Sequence, residues 1–269
     1  MDDTHRPPNA KAQADAGPHP RPRRLWNTDL AGAKPGDGVA LDPDEARHAL
    51  RVLRMREGDA VELIDGRGTV AEGKLTRADA RRAMVEVVSR HEVAEPRPRV
   101  AVFAAPPKGA RLESMAGTLV QLGVGRLVLL DTRRSVAEPG AGKRRRLERV
   151  VVEACKQCGR AWSMSIEGPI GFDAAIAEPA VGAGVRLLAH MRGPPLHDLP
   201  ARVAHVSEVS VLVGPEGGFT PEEERAAQSA GYRAWGLGES VMRIETAAAA
   251  AAAVVCWCAQ TATPCPPSA

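Results

Sequence analysis

The sequence predicts an α/β protein in which a parallel sheet wrapped by helices follows a small β-rich unit. Three observations carry this. From residue 99 onward, short apolar runs alternate with helical patterns: "RVAVFAAP" (99–106) is followed by "KGARLESMAGTLVQLG" (108–123). Before residue 95, strand-like alternation dominates and a single helical segment interrupts it. Between them lies "EPRPR" (95–99), where proline alternates with charge and helix is disfavoured, so these five residues are expected to be a linker.

Residues 1–22 are rich in proline, alanine and charge and have no apolar stretch, so a disordered tail is expected rather than a secretory signal, which points to the cytoplasm. The first unit spans 23–94. Its strand candidates are "VALD" (39–42), "DAVELID" (59–65), "GTVAEGKLT" (68–76) and "AMVEVVS" (83–89), with "DGRG" (65–68) as a hairpin signal. One helix is expected over "DPDEARHALRVLRMREGD" (42–59), capped by Asp42 or Asp44 and stopped at Gly58. Strands with a lone helix suggest a small barrel.

The second unit spans 100–262, with a tail at 263–269. Leu112, Met115, Ala116, Leu119 and Val120 recur at helical spacing, and Gly123 terminates the run. "RLVLLD" (126–131) reads as a buried strand. "KRRRLERVVVEACKQCG" (143–159) places Leu147, Val150, Val151, Ala154, Cys155 and Cys158 on one helical face. "GVRLLAH" (184–190), "VSVLVG" (209–214) and the short "RAWGLG" (233–238) are further strands, separated by a helix at 220–231 and closed by one at 245–260. Such alternation implies a parallel sheet with helices on both faces.

Composition narrows the function classes. No run of eighteen apolar residues occurs, which argues against a membrane-spanning helix. The five cysteines are an odd number and fit a reducing compartment; Cys155/Cys158 and Cys256/Cys258 lack a second metal-type pair, so core filling is expected and no metal site. Net charge is only +3, yet residues 101–160 hold twelve basic and five acidic groups, a candidate surface for a polyanion. Thirty of the 36 basic residues are arginine in a chain rich in alanine, glycine and proline, which lowers the weight of arginine number alone.

"LVGPEGGFTPEEE" (212–224) carries the strongest local signal. A strand ends in a glycine loop, and Thr220, Pro221 and Glu223 then specify a capped helix. The loop lies at the carboxyl end of a parallel strand, where α/β proteins bind ligands. No phosphate-loop pattern is present and Glu216 repels phosphate, so a neutral or cationic ligand fits better. "LGESVMRIETAAAAA" (237–251) repeats the format, with Arg243 before a helix that starts at Glu245. In the first unit, Arg47, Arg51 and Arg54 recur at i, i+4 and i+7 as a basic stripe suited to phosphates; Arg23 and Arg24 before Trp26 are read as extending it, and Arg160 ends the basic helix.

In these stretches, together with "EACKQCGR" (153–160) and "ARHALRVLRMREGDAVELIDGRG" (46–68), the chain resembles the RsmE family over about residues 23–260. These are SPOUT-class methyltransferases that act on a uridine ring nitrogen of 16S ribosomal RNA. The resemblance implies a PUA-like RNA-binding barrel followed by a trefoil-knotted α/β domain, a homodimer, and S-adenosyl-L-methionine as cofactor. By motif match it assigns the cofactor to Leu188, Ala189 and His190, to Gly214, Pro215, Glu216, Gly217 and Gly218, and to Leu237, Gly238, Met242 and Ile244. Arg243 is the candidate catalytic cation and Glu245 a candidate base; Arg23, Arg24, Arg47, Arg51, Arg54 and Arg160 are candidates for RNA. The expected reaction is methylation of uridine N3 in the small ribosomal subunit. Two alternatives stay open: methylation of another RNA position, and a non-enzymatic RNA-binding assembly factor.

Overall fold

The computed structural model describes residues 23–79, 82–135, 141–178 and 184–262. The tails expected at 1–22 and 263–269 lie outside them. The first unit is a five-stranded sheet in the order β1-β3-β4-β5-β2, made of β1 (Arg23–Trp26), β2 (Gly38–Ala40), β3 (Ala60–Ile64), β4 (Thr69–Asp79) and β5 (Arg82–Glu92). β1 runs parallel to β3, and the other pairings are antiparallel. Alternating inward residues, among them Val61, Leu63, Leu75, Val85 and Val87, build its own core with Leu25 and Leu30. Asn27 links the two edge strands: its N–H donates to Ile64 O at the end of β3, and its Nδ2 donates to Ala40 O in β2. The sheet therefore curls toward closure around that core.

The helix of this unit is shorter than its sequence pattern predicts. Asp42 is the cap, its Oδ1 accepting from the N–H groups of Asp44 and Glu45 (2.9 and 2.8 Å), and α1 covers only Pro43–Arg47. A wider turn follows over His48–Val52, in which Leu53 N–H reaches back to His48 O. The helical path ends at Arg54, which sits in the left-handed region at φ 54°, four residues before Gly58.

The second unit is a six-stranded, wholly parallel sheet in the order β11-β9-β10-β6-β7-β8. Its strands are β6 (Arg99–Ala104), β7 (Arg126–Asp131), β8 (Ser165–Gly171), β9 (Gly184–Ala189), β10 (Glu208–Val213) and β11 (Arg233–Trp235). Helices α2 (Arg111–Gln121), α3 (Ala141–Cys158), α5 (Leu199–Val203) and α7 (Ile244–Ala262) pack with one core. α4 (Phe172–Ala177) and α6 (Pro221–Ser229) cover the other face around Phe103, Phe172, Phe219 and Tyr232. The expected double covering is present. β1, β8, α4 and α5 are additional to the predicted elements; β1, α4 and α5 are short, and β8 contains a Gly-Pro that hides its strand character.

The strand order has a consequence for the site. β10 is inserted between β6 and β9, so the chain leaves β10, steps over β9 to β11, and returns as α7 against α2, α5, β6 and β10. The alanine run allows this return. Ala248, Ala251 and Ala252 are fully buried, and their small side chains let the helix lie close to its neighbours.

The two units are joined tightly. The 65–68 hairpin docks on the segment after α3: Gly68 N–H donates to Ala161 O (3.0 Å) and Ser163 N–H to Gly66 O (2.9 Å). A Cβ at Gly66 would stand 2.2 Å from the Trp26 ring, so only glycine fits there. Beside this seam the buried Lys156 ammonium lies 3.0 Å from Glu45 of α1 and 2.7 Å from Glu153. Cys155 is buried next to it, and burial pushes its thiol up to about 11, which fits packing rather than reactivity.

Candidate cofactor cleft

Three loops at the carboxyl ends of parallel strands enclose a cleft of about 510 Å³: the segments after β9, after β10 and after β11. Of the residues assigned to a cofactor from sequence, Ala189, His190, Gly214, Pro215, Glu216, Gly217, Gly218, Leu237, Gly238, Met242 and Ile244 line it. Leu188 does not. It is fully buried in the sheet and packs with the α4–α6 core, because alternation along β9 turns its side chain away from the cleft. Sequence reasoning missed Met191, Arg192, Val213, Phe219, Glu224, Ser240, Val241 and Ala247 on the walls. Val213, Phe219 and Glu224 lie inside the first motif singled out and Ser240, Val241 and Ala247 inside the second, whereas Met191 and Arg192 follow the strand read at 184–190.

The glycines are explained by close approach. A Cβ on Gly236 would fall 2.2 Å from Gly193 O, and one on Gly193 would fall 2.7 Å from Gly236 N. The loop after β9 thus crosses the loop after β11 backbone to backbone, pinned by His190 N–H to Trp235 O (2.9 Å) and Gly236 N–H to Pro194 O (3.0 Å). Gly214 lies under the Phe219 ring, where a Cβ would be 3.1 Å away. Gly218 takes the left-handed region at φ 70° and donates to Pro215 O, which closes the turn.

The glycine loop is also held from outside. Thr220 Oγ1 accepts from Glu223 N–H while Glu223 Oε2 accepts from Thr220 N–H, the capping box expected from sequence. Glu223 Oε1 in addition accepts from Arg133 N–H (3.0 Å), and Arg134 NH1 donates to Gly217 O (2.6 Å). Arg134 braces a loop 83 residues away in sequence, a contact that only the fold brings together.

The electrostatics suit a cation more than a phosphate. Glu216 and Glu224 both face the cleft, and His190 stands 3.4 Å from Glu224. Val213, Phe219, Leu237, Met242, Ile244 and Ala247 supply an apolar lining. An S-adenosyl-L-methionine-like group, with an aromatic base, a sulfonium and an amino-acid end, matches this mixture: backbone groups and apolar walls for the base, carboxylates for the positive charge, and Arg192 for a carboxylate, His190 being committed through Nδ1 to Arg192 N–H and through Nε2 to Glu224.

Arg243 and Glu245 do not line the cleft. Arg243 is exposed, and among the described residues its side chain has no hydrogen-bond partner or ion pair. Glu245 is partly buried at the start of α7, with its Oε1 3.8 Å from Arg111 NH1. The RNA candidates divide. Arg23, Arg47, Arg51 and Arg54 are exposed, Arg47 pairing with Asp44 (2.8 Å). The left-handed Arg54 breaks the i, i+4, i+7 stripe, because the helix that would carry it stops first. Arg24 is largely spent inside the seam, on Glu62 and the Lys156 carbonyl. Arg160 is likewise used internally: its guanidinium donates to Val120 O and Val124 O at the end of α2, a capping role.

Comparison with known proteins agrees with this geometry. A model of an RNA methyltransferase domain matches residues 94–256, and one of an RNA methyltransferase PUA domain matches residues 41–88. A ribosomal RNA small subunit methyltransferase E from Mycobacterium bovis is 32% identical over 228 residues, covering 82% of this chain and 86% of the relative. The structure of a protein of that name from Neisseria gonorrhoeae, bound to S-adenosyl methionine, superposes with a TM-score of 0.78 at 28% identity, covering 87% of this chain and 96% of the other. A probable rRNA-methyltransferase from Porphyromonas gingivalis gives the same TM-score at 33% identity, covering 90% of this chain and all of the other. The fold is that of a SPOUT-class methyltransferase domain behind a PUA-like domain, as the resemblance implied. The extent of the domain match and the identity to a relative spanned almost end to end place the chain in the ribosomal RNA small subunit methyltransferase E family.

Proposed function

We propose that this chain transfers a methyl group from S-adenosyl-L-methionine to N3 of a uridine in 16S ribosomal RNA of the small subunit, as a cytoplasmic homodimer. The observation that carries the reading is the cleft: glycine-lined, apolar along its walls and acidic through Glu216 and Glu224, in a fold whose relatives hold the cofactor. When bound, the cofactor supplies an electrophilic methyl group on a positively charged sulfur.

The chain's own residues then have three tasks. Gly214, Gly217, Gly218 and Gly238 let the ligand reach the main chain, while the Gly193–Gly236 crossing fixes the opposite wall. Arg243 stands between two cleft-lining residues, Met242 and Ile244, with its charge uncommitted. As the uracil imino proton leaves, negative charge spreads to the carbonyl oxygens, and a guanidinium there stabilises it. Alignment of the acceptor nitrogen with the methyl group supplies most of the remaining acceleration.

RNA is held electrostatically. Arg23, Arg47, Arg51 and Arg54 on the first unit, and Arg145 and Arg149 on α3, are exposed cations suited to phosphates. The outward side of α7 exposes Val254 and Trp257, an apolar face that supports pairing with a second copy. Among the described residues no helix is long and apolar enough to cross a membrane.

Calorimetry with S-adenosyl-L-methionine tests the reading cheaply: saturable binding is expected, and its absence would leave only an RNA-binding factor. Arg243→Ala is expected to lower methyl transfer by about 10²–10³-fold with cofactor affinity unchanged. Loss of cofactor binding in that variant would contradict the role given to Arg243.

A further inference from the structure

Next to the cofactor cleft, Arg111 at the start of α2 stands between Glu216 and Glu245, the latter at the start of α7. One guanidinium nitrogen is 3.8 Å from Glu216 Oε1 and the other is 3.8 Å from Glu245 Oε1. Both separations are within ion-pair range but too long for hydrogen bonds. The hydrogen bond that the guanidinium does make is a long one, from Nε to Lys108 O at 3.4 Å. Glu245 shows the complementary deficit. Its Oε2 is, among the described residues, the one buried side-chain oxygen or nitrogen without a hydrogen-bond partner. A buried carboxylate oxygen left unpaired is costly, so it signals an acceptor waiting for a donor. Acceptor and donors are thus both under-used at the same place, beside the loop that holds the cofactor.

We propose that this pair reads the Watson–Crick edge of the target uracil, with Glu245 Oε2 turning outward to accept from N3–H and Arg111 donating to the O4 carbonyl oxygen. The inference rests on the uridine-N3 reading given above and names the residues that recognise and deprotonate the base. Uracil presents acceptor, donor, acceptor along that edge, the pattern that a carboxylate beside a guanidinium complements. Cytosine presents an unprotonated N3 and an amino group, so it would set a lone pair against the carboxylate and leave Arg111 without its acceptor. The proton step follows from the same contact. The N3–H bond breaks with its electron pair left on N3, the proton forms an O–H bond on Glu245, and the negative charge on the carbonyl oxygens faces Arg111. Arg111 is the charged group within ion-pair distance of Glu245 among the described residues, and it also faces Glu216.

Two readouts test this. With small subunits as substrate, Glu245→Gln is expected to bind S-adenosyl-L-methionine like the unaltered chain yet to methylate about 10²–10⁴-fold more slowly at neutral pH. Its rate should then climb with rising pH, because solvent must remove the proton that the carboxylate no longer takes. Without cofactor, RNA carrying uridine at the target position should bind at least several-fold tighter than RNA carrying cytidine; Glu245→Gln and Arg111→Met should lose that preference, and Arg111→Lys should recover part of it. A Glu245→Gln rate within a few-fold of the unaltered chain, a deficit that is the same at every pH, or loss of cofactor binding would overturn the inference, the last because the pair would then serve only to hold the Glu216 loop. If the unaltered chain makes a product other than N3-methyluridine, the reading of the reaction fails and this inference with it. If it makes N3-methyluridine and the variants behave as the unaltered chain does, this inference alone fails.

Discussion

Gly193 and Gly236 meet where no other residue fits, and the consequence is measurable. In Gly236→Ala the new Cβ would press 2.2 Å from a backbone oxygen, which cannot rotate aside. The variant is expected to lose about 1–3 kcal/mol of stability in chemical denaturation and to bind S-adenosyl-L-methionine at least tenfold more weakly. Gly32→Ala, whose Cβ would meet nothing within 4 Å, is the matched control and should change neither. Legibility differs from residue to residue for a physical reason. Thr220 and Glu223 were legible because a capping box is a local device completed within four residues. The internal partners of Arg160 and Arg24, carbonyls of α2 and a carboxylate of β3, were not legible because only the tertiary fold brings them near.

At the scale of elements, the seam between the first unit and α3 is the feature the sequence concealed. Lys156 sits beside the apolar stripe of α3 and is buried because Glu45 of α1, 111 residues earlier, covers it. A buried ion pair tolerates loss of one partner poorly. Lys156→Met leaves Glu45 buried with the Trp26 N–H as its remaining donor, and is expected to destabilise by about 3–5 kcal/mol. Glu45→Gln should cost less, because Lys156 keeps Glu153 at 2.7 Å. Urea denaturation of both variants checks the order, and a smaller loss for Lys156→Met than for Glu45→Gln would contradict it. Most strands and helices of the second unit were readable from periodicity, β8, α4 and α5 excepted. α1 was not, since its apolar pattern continues past the point where a wider turn and the left-handed Arg54 end it.

For the whole molecule, alternation of strand and helix announced a parallel sheet, but no local rule orders six strands with β10 between β6 and β9. That order brings the loops after β9, β10 and β11 around one cleft and lays α7, and with it Arg243 and Glu245, beside the start of α2. The cleft residues were legible because glycine loops before capped helices are conspicuous. The Arg111–Glu245 pair was not, because its members come from separate segments that only the fold unites. The central proposal is methylation of a uridine N3 in 16S ribosomal RNA. Incubation of the unaltered chain with methyl-labelled S-adenosyl-L-methionine and either small ribosomal subunits or naked 16S RNA, followed by digestion to nucleosides, tests it most directly. Label in N3-methyluridine is the predicted result; label in a ribose-methylated nucleoside, or none in RNA from either substrate, would contradict it.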